Sequence, residues 1–146
     1  MVRLWHYELL PYLPELQFNR QLRELVAIMH DWRDNGKTNH ILINRVMEYP
    51  KNDLTSYMWL YCKEHGKRYD FDCKEKLMNE FIDFAEGGHF NPCPFIGWHD
   101  KFYLRVCMAN LYEKHVFGVG KSRITDEEWK RLADGYRHIT GKEYVI

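Results

Sequence analysis

Between Pro14 and Gly36 the apolar residues Phe18, Leu22, Leu25, Val26, Met29 and Trp32 recur three and four apart, the spacing that lines one face of a helix. This predicts a long amphipathic helix from Glu15 to about Asp34, stopped by Asn35-Gly36. At about 100° per residue, Arg20, Arg23, Glu24, Ala27 and Asp31 fall opposite the apolar stripe, which leaves Glu24 free to line a surface cleft. Period-two alternation is sustained nowhere in the chain, so the expected fold class is all-α.

The remaining segments follow the same logic. Pro11 and Pro14 oppose an α-helix before residue 15 and predict an extended N-terminal arm from Met1 to Pro14. A short helix is expected from His40 to Glu48, before Pro50, and a longer one from Asn52 or Asp53 to Gly66. Asp72-x-x-Glu75 resembles a capping box for a helix reaching Glu86, ended by Gly87-Gly88. Residues 87–97 read as a loop before a helix from Trp98 to Lys114, and Thr125-x-x-Glu128 caps a last helix to Ile139. Without repeats or a long linker, the 146 residues are expected to form one domain, 1–146.

Charge bounds the partners. Twenty-one basic and 21 acidic residues cancel, so a polyanion would have to be held by a local basic face rather than by the overall field. No stretch approaches the roughly 18 apolar residues of a membrane span, and a cytoplasmic or nucleoid-associated monomer is expected. Cys62, Cys73, Cys93 and Cys107 form no CxxC pair and are expected as buried free thiols.

Two other patterns carry little. Cys62-x2-His65 and His89-x3-Cys93 have tolerable zinc spacing, but the patterned helix between them needs no metal to fold. Phe117 to Ser122 has the ending of a phosphate-binding loop, yet His115 stands where that motif requires glycine; Lys121 and Arg123 read instead as a basic loop.

The chemistry-bearing residues are at the start. An α-amino group titrates near 7.7 to 8.0, so roughly a third is unprotonated at pH 7.5, and it forms imines far more readily than a lysine. Removal of Met1 would expose the amine of Val2 beside Arg3, and Arg23-Glu24 would bring a second cation and a carboxylate. Read as plain surface residues, Arg20 and Glu24 would form only an i,i+4 pair worth about 0.3–0.5 kcal/mol.

Arg3-Leu4-Trp5-His6, Leu13-Pro14 and Arg23-Glu24-Leu25 together resemble the pyrimidine-dimer DNA glycosylases of the phage endonuclease V type. Weaker likenesses follow at Asn35-Gly36-Lys37, Asn39-His40, His99-x3-Tyr103-Leu104 and Gly141-Lys142-x-Tyr144. The resemblance implies a repair glycosylase with abasic-site lyase activity on duplex DNA, needing no metal or organic cofactor. Val2 would be the nucleophile, Glu24 the catalytic carboxylate, and Arg3 and Arg23 phosphate ligands. Arg20, His40 and Lys121 would be further DNA contacts. The chain departs from the family pattern at Gln17, Leu22 and Ala27, where relatives carry histidine or arginine. Those departures and the neutral charge favour a second reading, a non-catalytic nucleic-acid-binding or protein-interaction module with the same fold.

Overall fold

The computed structural model describes residues 3–70 and 75–146. Five α-helices, α1 (Glu15–Asn35), α2 (Lys51–Tyr69), α3 (Glu75–Phe84), α4 (Lys101–Phe117) and α5 (Asp126–Thr140), are joined by loops and three short 3₁₀ helices. No strand occurs among the described residues, and the fold is all-α.

α1 keeps its expected bounds. Gly36 takes the left-handed conformation, φ 70°, and its N–H closes the last turn on the Trp32 carbonyl. The Thr125–Glu128 capping box is present in full, with each residue's side chain accepting from the other's main-chain N–H. Asp100 caps α4 through the Tyr103 N–H, so that helix begins three residues after Trp98 and continues to Phe117. α3 ends at Phe84, because Glu86 (φ 57°) and Gly87 (φ 86°) have already left helical space. Its expected capping residue, Asp72, and Cys73 lie outside the described residues.

Three expectations are corrected. The arm is extended only over its first residues, for Tyr7–Tyr12 form a 3₁₀ helix that contains Pro11. Proline forbids an α-helical interior but tolerates so short a 3₁₀ turn. This one is held from both sides: Leu9 and Leu10 are buried, Arg68 donates to the Leu10 and Leu13 carbonyls, and Arg131 donates to that of Pro11. Second, α2 does not stop at Gly66. Its last turn is held by Arg68, bonded to Glu64 as well as to the arm, and the helix ends where Asp70 turns left-handed at φ 53°. Third, the short helix before Pro50 is a 3₁₀ turn over Ile43–Glu48. The thiols also differ from expectation, since Cys107 is buried, Cys62 half-buried and Cys93 exposed.

The N-terminal 3₁₀ helix packs against both α2 and α5, α2 against α1 and α3, and α4 against α5. At the α5 contact Gly135 lies so close under the Tyr12 ring that a side chain there would overlap it. The core runs from Leu4 and Trp5 of the arm through Phe18, Leu25 and Met29 of α1 to Tyr57 and Tyr61 of α2 and Leu104 and Met108 of α4. Leu4 and Trp5 of the arm are thus inside the core, and this is what builds the site. No described helix is long and apolar enough to cross a membrane.

Candidate active site

An extended segment must place its main-chain N–H and C=O groups somewhere, and residues 3–7 have no strand beside them. Side chains from separate elements take the place of one. The Arg3 N–H donates to Glu24 Oε2 at 2.8 Å, and Gln21 Nε2 donates to the Arg3 carbonyl at 2.8 Å. The Tyr103 hydroxyl of α4 donates to the Leu4 carbonyl at 2.5 Å. Gln21 Oε1 accepts from the Trp5 N–H at 2.9 Å, while the Tyr57 hydroxyl of α2 donates to the Trp5 carbonyl at 2.6 Å. The Tyr7 N–H then donates to His99 Nδ1 at 3.2 Å. Leu4 is fully buried and Trp5 is 4% exposed, so apolar anchoring and hydrogen bonding fix the same segment.

Arg3 and Trp5 of the arm line a cleft of roughly 230 Å³ together with Gln17, Arg20, Glu24 and Lys114. Glu24 is half-buried. Burial raises its carboxyl above the ordinary range, opposed by the Arg3 N–H and by the charges of Arg3 and Arg20. Among the described residues its Oε1 has no hydrogen-bond partner, and Arg20 does not approach within ion-pair distance. Among the described residues, the carboxylate therefore meets the cleft with one oxygen committed to the arm and the other unpaired. The Arg3 guanidinium lies 5.6 Å from the Trp5 ring centroid, a cation–π contact that holds it at the rim.

A second cleft, of about 240 Å³, shares Arg3 and Lys114 with the first and adds Asn110, Glu113, Phe117, Gly118 and Ser122. Lys114 stands between the two. Its carbonyl accepts the N–H groups of both Gly118 and Ile124, which ends α4 there and folds the following loop back against it. Phe117 remains 78% exposed on that rim.

The residues predicted from sequence divide accordingly. Arg3, Arg20 and Glu24 meet at one cleft. Arg23 is exposed and is not among the cleft residues, because one helical step of about 100° turns it away from Glu24. His40 sits in the turn before the second 3₁₀ helix, where its carbonyl accepts from the Thr38 hydroxyl, and Lys121 is exposed on the 3₁₀ turn Gly120–Ser122; neither lines the cleft. Val2 lies outside the described residues. No metal-holding group of three or more His, Cys, Asp or Glu occurs among the described residues.

Sequence reasoning missed Gln21 and Lys114 and named Gln17 only as a departure from the family pattern. Gln21 had a legible signal. It falls three residues after Phe18 and four before Leu25, inside the apolar stripe, and a buried amide needs polar partners. Lys114 had none, since only the folded chain brings the end of α4 to the start of the chain.

A search of curated proteins and of solved structures returns no match. A family model described as pyrimidine dimer DNA glycosylase matches residues 2–77, which include the arm, all of α1 and all of α2. With more than half of its residues matched, including those that pin the arm to Glu24, the chain belongs to the pyrimidine dimer DNA glycosylase family.

Proposed function

We propose that the protein removes the base of a pyrimidine-dimer nucleotide and then cleaves the abasic strand, with the amine of Val2 as nucleophile once Met1 is removed. The observation that carries this reading is the 2.8 Å hydrogen bond from the Arg3 N–H to Glu24. Three covalent bonds separate that nitrogen from the amine of residue 2, so pinning one to the carboxylate restricts the other to its neighbourhood.

In the proposed sequence the neutral amine attacks C1′ and the glycosidic electron pair leaves with the base, which takes up a proton. Opening of the sugar ring at O4′ yields a protonated imine. Loss of a proton from C2′ then expels the 3′ phosphate by β-elimination, and water releases the enzyme. Glu24 stabilises positive charge developing at C1′ and O4′ and serves the proton transfers, for which a carboxyl raised by burial is suited. Arg3, Arg20 and Lys114 form a local basic rim able to hold phosphates, which a chain with no net charge requires. Duplex bending and base displacement open the sugar carbon to attack.

Borohydride trapping of Met1-free protein on a duplex with an abasic site tests the chemistry, with the cross-linked peptide identified by mass spectrometry. An adduct on the Val2 amine is the expected outcome. Absence of an adduct, with binding retained, would leave a non-catalytic DNA-binding module. Lys114→Ala is expected to reduce the slope of log affinity against log salt by about one, measured by anisotropy on damaged duplex. An unchanged slope would mean that Lys114 holds no phosphate.

A further inference from the structure

We infer that Gln21 is a positioning residue whose single buried amide sets the register of the N-terminal arm and thereby aims the terminal amine at the sugar. The inference rests on the reading just given, in which that amine is the nucleophile.

The geometry has three parts. Gln21 is completely buried, so its amide makes these contacts without competition from water. Its Nε2 donates to the Arg3 carbonyl at 2.8 Å and its Oε1 accepts from the Trp5 N–H at 2.9 Å. One amide therefore brackets Leu4 as a paired strand residue would, satisfying a C=O and an N–H two residues apart. The Trp5 N–H, which can only donate, and the Arg3 carbonyl, which can only accept, fix which end of the amide faces which group. Finally, Gln21 Nε2 is 3.5 Å from Glu24 Oε2, the oxygen that accepts the Arg3 N–H. Positions 21 and 24 of α1, one turn apart, thus hold three main-chain polar groups of the arm: Arg3 N–H, Arg3 C=O and Trp5 N–H. A slip of the arm by one residue would break all three and carry the amine away from Glu24 by one residue length, about 3.3 Å.

The test compares trapping rates of Met1-free wild type, Gln21→Leu and Gln21→Glu on abasic duplex at saturating protein, from about pH 6 to 8. Gln21→Leu keeps the bulk and removes both bonds. It is expected to lower the rate by about 100-fold at every pH, because a misplacement of about an ångström has that cost, while DNA affinity is retained, since no atom of Gln21 is exposed. Gln21→Glu gives a readout that a merely structural role would not. When protonated, the introduced carboxyl can donate to the Arg3 carbonyl as the amide does. When ionised, it repels that carbonyl and the Glu24 carboxylate, a repulsion that the cleft cations Arg3, Arg20 and Lys114 offset only in part. Its rate relative to wild type is therefore expected to fall about tenfold or more from pH 6 to pH 8.

Gln21→Leu trapping at the wild-type rate, together with a flat Gln21→Glu ratio, would overturn the role of Gln21 and leave the Val2 and Glu24 chemistry standing. Failure of wild type to form an adduct would instead remove the reading on which it rests, and the inference with it. Should the variants not fold, hydrogen exchange on the wild-type chain decides. The Trp5 amide is expected to be as protected as the centre of α1, whereas exchange at the rate of a frayed terminus would overturn the clamp.

Discussion

Glu24→Gln is expected to lower strand cleavage by about 10²- to 10⁴-fold while leaving the fold and the affinity for damaged duplex in place. The substitution isolates charge from geometry. Glu24 Oε2 accepts the Arg3 N–H, and the carbonyl oxygen of a glutamine can accept the same bond, so the arm keeps its register. What is lost is the negative charge that stabilises the sugar cation in the proposed mechanism, and with it the capacity to accept a proton. The cleft cations Arg3, Arg20 and Lys114 remain, so the rim proposed to hold phosphates is unchanged. Single-turnover cleavage of a duplex carrying one pyrimidine dimer, run beside anisotropy titrations, measures both halves. Cleavage at the wild-type rate would remove Glu24 from the mechanism.

The second large effect is on stability at acid pH. His6 and His99 stack with ring centroids 5.2 Å apart and are 1% and 6% exposed. Burial lowers His6 to about 4, with the His99 and Asp100 carbonyls and the Asp100 charge opposing. Burial also lowers His99 well below its ordinary value, reinforced by the charges of His6 and Arg45. Both rings are therefore neutral in the folded protein and protonate near 6.5 once the chain unfolds. Their contribution is fully present above about pH 6.5 and is lost as pH falls below it, because the unfolded state then binds more protons.

Each histidine adds a slope that grows from about 0.7 kcal/mol per pH unit at pH 6.5 toward about 1.4 near pH 5.5, so the pair approaches about 2.7 kcal/mol per unit there. The His6 share levels off near its folded value of about 4. Glu8 and Glu24, whose carboxyls are raised by burial, act with the opposite sign. Urea midpoints at pH 7 and about 5.5 measure the slope. His6→Asn keeps an acceptor for the Glu8 N–H that His6 Nδ1 now receives and should remove about half of it. Equal midpoints at the two pH values would contradict the neutral buried pair. Function should follow stability here, for His99 Nδ1 also holds the Tyr7 N–H at the inner end of the arm.

Much of the helical framework was legible because its causes are local. The spacing of Phe18, Leu25 and Met29 specifies the buried face of α1, and Thr125 with Glu128 specifies the start of α5, from residues three or four apart. The errors fell where a distant residue overrides a local rule. Gly66 would end α2 by propensity, but Arg68 reaches the Leu10 and Leu13 carbonyls and keeps one more turn helical. Pro11 would keep the arm extended, but burial of Leu9 and Leu10 between α2 and α5 curls it into a 3₁₀ turn.

The candidate site divides in the same way. By itself the sequence determined the all-α class, the long helix carrying Glu24 and the family resemblance of its opening residues, because periodicity, capping and short motifs are properties of neighbouring positions. Only the tertiary structure decided that Arg20 rather than Arg23 shares the cleft with Glu24, that Lys114 completes its rim, and that Gln21 is buried to hold the arm. Those outcomes depend on side-chain hydrogen bonds between residues as far apart as Tyr103 and Leu4. Such pairings leave no period in the sequence, and they become favourable only when packing has excluded the water that would otherwise satisfy the same groups.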